Sequence, residues 1–285
     1  MLADAIRSET YRLLQNRTAV FWSVFFVPVI GLVLSTVGFF LLKSKAAQIS
    51  GGQLPPELSL GGPLDLGQAL ASNAGDLANP AILAFLLIGA ATLYAGDYRW
   101  ETWRLISARN SRPNLLLGKV GVLKLLTLAA MLVFLLTGAL SEVAKAVIFA
   151  RPLVFTFGAT EASQFGLLFL LSFVRVVQFL MISLLAATVT RSLLAALFIP
   201  LVVSVGQFFL GQTAPMLGLV PGDWLTQLLL PGTAFETLKA LIKGGMEAAA
   251  LPDGAIKAVI SLALWSLAPL AAAIAWFSRQ DLSKE

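Results

Sequence analysis

Few polar side chains in this sequence could do chemistry, and three of them stand in long apolar runs. Arg175 and Gln178 lie between Ala162 and Thr190, and Gln207 lies in an uncharged run. In a membrane, such groups either contact a transported molecule or form hydrogen bonds between helices. We therefore take Arg175, Gln178 and Gln207 as candidates for a substrate path.

Arg175 has two interpretations. In the first, it lies at mid-membrane, where an arginine costs roughly 2.5–3.5 kcal/mol on insertion scales, and it lines the path or pairs with a carboxylate such as Glu161 or Glu142. In the second, which we favour, the span begins only at Val176 and the arginine side chain extends to the outer surface. The two interpretations predict different burial of the guanidinium group.

Histidine and cysteine are both absent from the chain. Their absence removes the Ser–His–Asp arrangement, the thiol nucleophile, disulfides and the metal sites built on His or Cys. We therefore predict no catalytic residues and no metal site, and we expect that the chain is not an enzyme. An intramembrane enzyme such as a lipid transferase is the weakest of the hypotheses.

The composition is typical of a membrane protein. Hydrophobic residues make up 58% of the 285 residues and charged residues 12%, whereas about a quarter of the residues in soluble domains are charged. Crossing a bilayer takes about twenty apolar residues. The predicted spans cover approximately 20–42, 77–96, 120–141, 165–190, 192–212 and 258–277. The predicted fold class is therefore all-α: a polytopic membrane protein with a single transmembrane domain over 1–285.

The first 18 residues can form an amphipathic helix that lies along the membrane surface. Leu2, Ile6 and Leu13 fall close to one face, whereas Glu9 falls on another. A frayed polar N-terminus is the alternative.

Three further segments connect the predicted spans on the other side of the membrane. Residues 43–76 are rich in Gly and Pro and are predicted to form an irregular external loop, and 142–161 a shorter one. Residues 213–257 are mostly apolar and are interrupted by prolines. We predict re-entrant half-helices there, which a membrane tolerates when they pack against protein.

The distribution of basic residues sets the orientation. Six spans place both termini on one side, and that side carries twelve Lys and Arg against seven on the other. The positive-inside rule then places both termini in the cytoplasm, with the chain in the inner (plasma) membrane. This bias also accounts for the net charge of +5, so we expect membrane lipids as partners and no nucleic acid.

The connection between the second and third spans, residues 97–119, concentrates charged and aromatic side chains. We predict a helix up to Ala108, followed by a break near Pro113. On that helix Trp100 and Trp103 would share one side and form an aromatic contact surface with a charged rim. The alternative is an ordinary basic loop held at the lipid headgroups by its aromatic residues.

This connection resembles the segment that follows the second span in permease subunits of type-2 ABC exporters. Their pattern is an acidic residue, Gly-Thr, a basic residue, leucines, a break, Ser-Arg, and a Gly-Lys that opens the third span. The matching residues are Glu101, Thr102, Arg104, Leu105-Ile106, Ser111-Arg112 and Gly118-Lys119. The chain departs from the pattern in lacking Gly before Thr102 and in carrying Trp103 before the basic residue.

The resemblance implies a transmembrane permease subunit of an ATP-driven ABC exporter, working as a homodimer or with a related permease. Each permease would dock a separate cytoplasmic ABC ATPase through a coupling helix, and ATP and Mg would belong to that partner. No cofactor is expected in this chain, whose sequence has no GxxxxGK[ST] phosphate loop. The coupling residues that the resemblance implies are Arg99, Trp100, Glu101, Thr102, Trp103, Arg104, Ser111 and Arg112.

A secondary transporter or channel that works alone is the alternative function. It calls for ionisable residues near the middle of several spans, and only Arg175 is a candidate. The mostly apolar spans favour an amphipathic or hydrophobic substrate over a hydrated ion.

Overall fold

The computed structural model describes residues 2–49, 62–100, 102–103, 106, 110–220, 222–244 and 253–280. This part of the chain is mostly helical and contains six helical segments that are long and apolar enough to cross a membrane. They are Arg17–Lys45, Pro80–Arg99, Arg112–Phe149, Ala159–Thr190, Leu193–Leu217 and Gly254–Arg279. The prediction of a polytopic helical membrane protein with six spans is confirmed at this level.

The elements are short at the N-terminus and long in the bundle. In chain order they are α1 (Leu2–Gln15), α2 (Arg17–Val20), a π-helical segment (Phe21–Phe26), α3 (Val27–Ile49), β1 (Leu64–Asp65), α4 (Leu66–Gly75), α5 (Pro80–Arg99), α6 (Arg112–Phe149), β2 (Leu153–Val154), α7 (Ala159–Thr190), α8 (Leu193–Thr213), a 3₁₀ turn (Ala214–Leu217), α9 (Trp224–Leu229), α10 (Pro231–Lys243) and α11 (Gly254–Arg279).

Helix α7 occupies the centre of the bundle and packs against α4, α5, α8 and α11. Its buried face includes Val176, Phe179 and Leu180. Helix α8 is much less covered, and large apolar side chains such as Val202 and Phe208 are exposed along it. The apolar surface of α8 is therefore available to lipid or to another protein.

Helix α1 and the C-terminal end of α11 lie at one end of the bundle, which we call the terminal end. Arg112, at the start of α6, donates a hydrogen bond from Nη1 to the carbonyl oxygen of Gln280 at 2.7 Å. Tyr98, near the end of α5, donates to Oε1 of the same glutamine at 3.1 Å. The opposite end, which we call the far end, holds the two strands and α4.

A proline inside α8 is accommodated by a neighbouring helix. Pro200 has no N–H, so the carbonyl oxygen of Ala196, four residues earlier, loses its helical donor. Ser183 of α7 is fully buried and donates from Oγ to that oxygen at 2.7 Å. This hydrogen bond satisfies a backbone group in apolar surroundings and joins α7 to α8, so the helix continues past Pro200.

Segments that the sequence predicts as external loops contain helix. Residues 66–75 form α4 inside the predicted loop 43–76, and α6 continues to Phe149, into the second predicted loop. Asp65 favours this helix because its Oδ1 caps the first turn by accepting from the N–H of Gly67 at 2.8 Å. The loop prediction is therefore wrong for α4 and for the last turns of α6.

Asp65 also fastens the far end together. Strands β1 and β2 pair in parallel, with Leu64 opposite Leu153. Oδ1 of Asp65 accepts a further hydrogen bond from the N–H of Thr156 at 3.0 Å. A Cβ on Gly67 would lie 2.0 Å from the carbonyl oxygen of Thr156, so only glycine fits this close approach.

Asp65→Asn is expected to make the far end less sensitive to acid. The hydrogen bonds from the N–H of Thr156, and then of Gly67, hold the pKa of Asp65 below its usual value. The native pKa is thus below the unfolded pKa of about 3.9, so the carboxylate stabilises the fold above that pH and loses this contribution as the pH falls through the native pKa. Thermal unfolding of the purified chain between pH 7 and pH 3 measures the difference.

The control for this measurement is Asp223→Asn, because the side chain of Asp223 precedes α9 without forming a capping hydrogen bond. The Asp223 variant should keep the wild-type acid profile, and the Asp65 variant should show a flatter one. Identical profiles for wild type and Asp65→Asn would mean that the charge of Asp65 does not stabilise the far end.

Candidate functional site

Four ionisable side chains from three helices meet at the terminal end, and we call them the charge cluster. They are Glu9 and Arg12 of α1, Asp97 of α5 and Lys119 of α6. Nζ of Lys119 lies 2.5 Å from Oδ2 of Asp97 and 3.2 Å from Oε1 of Glu9. Nη2 of Arg12 lies 2.6 Å from Oδ1 of Asp97. Two carboxylates thus face two cations, and the cluster has no net charge.

Three of the four members of the charge cluster are removed from solvent. Lys119 and Asp97 have no exposed surface, and Glu9 is 3% exposed. Nζ of Lys119 also donates to the carbonyl oxygen of Leu93 at 3.0 Å, so the buried ammonium group has three oxygen partners. Charges buried in this way stabilise a fold only while all partners are present. The cluster therefore behaves as one unit.

Arg12 is the most accessible member of the charge cluster. The side-chain hydrogen bond to Asp97 raises the pKa of Arg12 above its usual value, and the guanidinium group also lies 3.1 Å from Oε1 of Glu9. Asp97 stands near the carboxyl end of α5, where the helix dipole disfavours an anion. The cations Arg12 and Lys119 offset that unfavourable position.

A close helix contact brings α1 to the cluster. A Cβ on Gly118 would lie 2.8 Å from the Cβ of Ala5, so α1 and α6 touch at these two small residues. Glu9 and Leu13 follow Ala5 at intervals of four residues and lie on the same buried face of α1. The Gly-Lys pair that opens α6 therefore has two physical roles: the glycine admits α1, and the lysine pairs with its glutamate.

The predicted face of the N-terminal helix is partly wrong. Leu13 is buried as expected, but Leu2 is 41% exposed, and Glu9 lies on the buried face rather than on another one. The reason is the ammonium group of Lys119, which compensates the charge of Glu9. The pattern of apolar residues along α1 does not reveal that compensation.

Two residues of the segment after α5 are held by the cluster and by α11. Thr102 donates from Oγ1 to Oδ1 of Asp97 at 2.5 Å. The indole of Trp103 is fully buried; its centroid lies 4.5 Å from that of Phe277, and Nζ of Lys119 lies 5.2 Å from it. Trp103 therefore joins the connection between α5 and α6 to the end of α11.

The predicted aromatic surface of Trp100 and Trp103 is wrong. Trp103 is buried against Phe277, whereas Trp100 is 70% exposed and the guanidinium carbon of Arg99 lies 5.4 Å from its ring centroid. Trp100 borders a cavity of about 150 Å³ that is also lined by Arg12. The available contact surface is therefore one tryptophan with two neighbouring arginines.

The other predicted coupling residues divide into two groups. Glu101 and Arg104 lie outside the described residues, and so does most of the helix expected up to Ala108. Ser111 occupies the position before α6, and Arg112 is its first residue.

Arg112 fixes the C-terminal end of α11. Its Nη1 donates to the carbonyl oxygens of Phe277, Ser278 and Gln280 at 3.2, 3.1 and 2.7 Å. The last carbonyl groups of a helix have no partner within the helix. A guanidinium group donates hydrogen bonds to them, and its positive charge interacts favourably with the negative end of the helix dipole. The segment between α5 and α6 is thus attached to α11 by Trp103 and by Arg112.

A second site contains the three substrate-path candidates. Arg175 donates from Nη1 to Oε1 of Gln178 at 2.8 Å and from Nη2 to Oε1 of Gln207 at 2.6 Å. Arg175 and Gln207 line a cavity of about 500 Å³ between α5, α7, α8 and α10, which we call the arginine cavity. The structure therefore brings Gln207 of α8 together with Arg175 and Gln178 of α7.

The favoured interpretation of Arg175 is wrong, and so is the carboxylate pairing named in the other interpretation. Arg175 does not extend to the surface, because α7 continues on both sides of it and its side chain is 7% exposed. It pairs with neither Glu161, which caps the first turn of α7, nor Glu142, whose ion-pair partner is Lys145 at 3.6 Å. Neutral amide oxygens accept its hydrogen bonds instead.

The segment predicted as re-entrant forms two short helices, α9 and α10, packed on α11. Trp265 donates from Nε1 to the carbonyl oxygen of Leu228 at 2.7 Å, and Ser261 donates to that of Gln227 at 2.5 Å. Trp265 lies about 16 Å along α11 from its first residue, at 1.5 Å per residue. The connection between α9 and α10 is therefore well within the length of the bundle, with backbone oxygens bonded to protein donors as apolar surroundings require.

No local sequence pattern groups the residues of the charge cluster, although Lys119 belongs to the Gly-Lys pair that opens α6. One signal was available: Ala5, Glu9 and Leu13 follow each other at four-residue intervals, which places a carboxylate among small and apolar residues. A buried carboxylate requires a cation from elsewhere. The sequence does not say which cation.

No protein-family model, curated protein or solved structure matches this chain. Within the described ranges, no group of three or more His, Cys, Asp or Glu side chains could hold a metal ion.

Proposed function

We propose that this chain is the transmembrane permease subunit of an ATP-driven ABC exporter, driven by a separate ATPase through residues 98–114, the coupling segment. The observation that carries the proposal is the attachment of this segment to the bundle. Thr102 and Trp103 fasten it to the charge cluster and to α11, and Arg112 holds the end of α11. Four helices, α1, α5, α6 and α11, thus share one point of attachment.

This arrangement suits the transmission of force. Buried ion pairs and close aromatic packing have few alternative arrangements, because protein interiors are packed as densely as organic crystals. A displacement of the coupling segment would therefore move the ends of the attached helices together. Trp100 and Arg99 are available on the outside of the segment, and Trp and Arg are the residues most enriched at energetically important contacts.

The proposal includes an assembly. ATP and Mg are bound by the partner ATPase, both termini lie in the cytoplasm, and the terminal end faces that partner at the inner membrane. A second copy of the permease, or a related one, completes the path, and the exposed apolar face of α8 offers surface for it. The substrate is amphipathic or hydrophobic.

Trp100→Ala is expected to release the ATPase while leaving the permease folded. Truncating an exposed tryptophan at the centre of a contact removes about 2 kcal/mol or more of binding, so the ATP hydrolysis that co-purifies with the tagged chain should fall at least about tenfold. The thermal unfolding midpoint of the chain should stay unchanged. Mass spectrometry of the eluate should identify a polypeptide that carries a GxxxxGK[ST] loop.

The matched control is Trp276→Ala, another exposed tryptophan near the terminal end. If aromatic residues there only anchor the chain at lipid headgroups, both variants should behave alike. The proposal fails if co-purified ATP hydrolysis is equal in the two variants, or if the wild-type chain brings no ATPase with it.

The alternative of a transporter that works alone has less support. In the described part of the chain, Arg175 is the buried ionisable residue that lies away from the ends of the spans. Proton- or ion-driven transport calls for several such groups.

A further inference from the structure

We propose that the arginine cavity binds the anionic headgroup of an amphiphile, a phosphate or a carboxylate attached to an apolar chain. The inference names a ligand class for the substrate-path residues and so extends the proposed function. Its test uses the chain without any ATPase, so the two proposals can fail separately.

The two glutamines fix the direction of the available hydrogen bonds. Arginine has five N–H donors and no acceptor, so Gln178 and Gln207 must present their Oε1 atoms to it, as they do. Their Nε2 groups then point away from Arg175. Both Nε2 atoms are buried, and neither has a hydrogen-bond partner among the described residues. Buried unpaired donors are costly and call for an acceptor.

Arg175 also has no ion-pair partner among the described residues. Within the described residues, no carboxylate oxygen lies within 4.0 Å of its guanidinium nitrogens. Glu236 lines the same cavity but is exposed and does not form an ion pair with it. Phe179 and Phe235 offer ring faces at 4.6 and 5.9 Å from the guanidinium carbon. Aromatic faces stabilise a cation, but by far less than the cost of burying it alone.

The remaining donors of Arg175 match the acceptors of a planar or tetrahedral anion. A guanidinium group recognises carboxylate and phosphate through paired hydrogen bonds. An anion beside Arg175 would compensate its charge, and Gln207, which lines the same cavity, has an Nε2 donor without a partner among the described residues. A cationic ligand would be repelled by Arg175, and a neutral ligand would leave the positive charge of Arg175 uncompensated.

The walls of the cavity favour an amphiphile over a free ion. Leu83, Phe179 and Phe235 line its interior, and the exposed Phe208 lies on the apolar surface of α8. A headgroup at Arg175 could therefore continue as an apolar chain past Phe208. The arginine lies roughly 23 Å from either end of α7, at 1.5 Å per residue, a depth that a lipid-like molecule reaches more easily than a hydrated ion.

The test measures lipid binding to the purified full-length chain. Phosphatidylglycerol, phosphatidylcholine and inorganic phosphate are each added to the detergent-solubilised protein, and binding is followed by native mass spectrometry and by the thermal unfolding midpoint. We expect phosphatidylglycerol to be retained and to raise the midpoint. Phosphatidylcholine should bind at least about tenfold more weakly, because its choline cation already compensates the charge of its phosphate and is repelled by Arg175. Inorganic phosphate should require a much higher concentration.

Two variants separate binding from folding. Gln207→Glu places a carboxylate beside Arg175, so the protein supplies its own anion; this variant should unfold no earlier than wild type and should lose phosphatidylglycerol binding at least tenfold. Arg175→Gln should lose binding as well, with a lower unfolding midpoint. Arg279→Gln removes one exposed positive charge at the terminal end and should bind like wild type.

The inference is overturned if phosphatidylglycerol and phosphatidylcholine bind equally, if Gln207→Glu retains wild-type binding, or if Arg279→Gln loses as much binding as Arg175→Gln. If inorganic phosphate alone raised the unfolding midpoint at the same concentration as phosphatidylglycerol, the site would bind a free anion, and the proposal that its ligand is an amphiphile would be wrong.

Discussion

Lys119→Met is expected to destabilise the chain by about 3–5 kcal/mol, the cost of removing one partner from a buried ion pair. The substitution leaves Asp97 and Glu9 buried with Arg12 as the remaining cation of the cluster. The carbonyl oxygen of Leu93 also loses its side-chain donor. Methionine fills a volume similar to that of lysine, so the loss of stability reflects the missing charge rather than a change in packing. The measurement is the free energy of unfolding in detergent, or the shift in unfolding midpoint.

A double variant tests whether the charge is responsible. Lys119→Met combined with Asp97→Asn leaves Glu9 and Arg12 as a neutral pair, and it should recover part of the stability that the single variant loses. Lys124→Met removes an exposed lysine one helical turn further along α6 and should have an effect within about 0.5 kcal/mol. Equal losses in the single and the double variant would show that the pairing of charges does not hold the terminal end.

Trp103→Ala is expected to destabilise the chain by about 3–5 kcal/mol, as large-to-small substitutions of buried aromatic residues do. The indole fills the space between Phe277 and Lys119, so its removal opens a cavity next to the charge cluster. The detachment of the coupling segment from α11 should increase proteolytic cleavage within 98–114 at temperatures where the bundle is still folded. Both effects can be measured on the purified chain.

Trp103→Phe serves as the conservative counterpart. The indole Nε1 is buried and has no hydrogen-bond partner among the described residues, so phenylalanine keeps an aromatic contact with Phe277 and removes an unpaired donor. It should cost less than half as much as alanine. Similar losses for alanine and phenylalanine would mean that the packing at Phe277 does not attach the segment.

The spans were predictable because hydropathy depends on each residue alone. Runs of apolar residues placed all six helices, and a bilayer's thickness limits their length. The same reasoning found Arg175, Gln178 and Gln207, since a polar group in an apolar run is visible without knowledge of its neighbours. Their mutual contacts were not predictable, because Gln207 belongs to another helix and its distance from Arg175 depends on how α7 and α8 pack.

The charge cluster was hidden for a related reason. In a sequence, Asp97 and Lys119 look like the ends of apolar runs, since charge normally marks the membrane surface. They are buried because their opposite charges compensate each other, and Arg12 and Glu9 of α1 provide further ion-pair partners. Trp103 was misplaced in the same way: helical spacing relates it to Trp100, but its partner Phe277 lies far away in the chain. Pairing between distant residues is a property of the fold rather than of any local pattern.

The charge cluster has a consequence for the order in which this protein can assemble during its synthesis. The chain emerges from its N-terminus, so Glu9, Arg12 and Asp97 are made before Lys119. Until Lys119 emerges, Arg12 is the only cation of the cluster available to Glu9 and Asp97, and α1 lacks the lysine that pairs with its glutamate. Stable packing of α1 therefore requires that α6 has already been synthesised and has joined the first two spans.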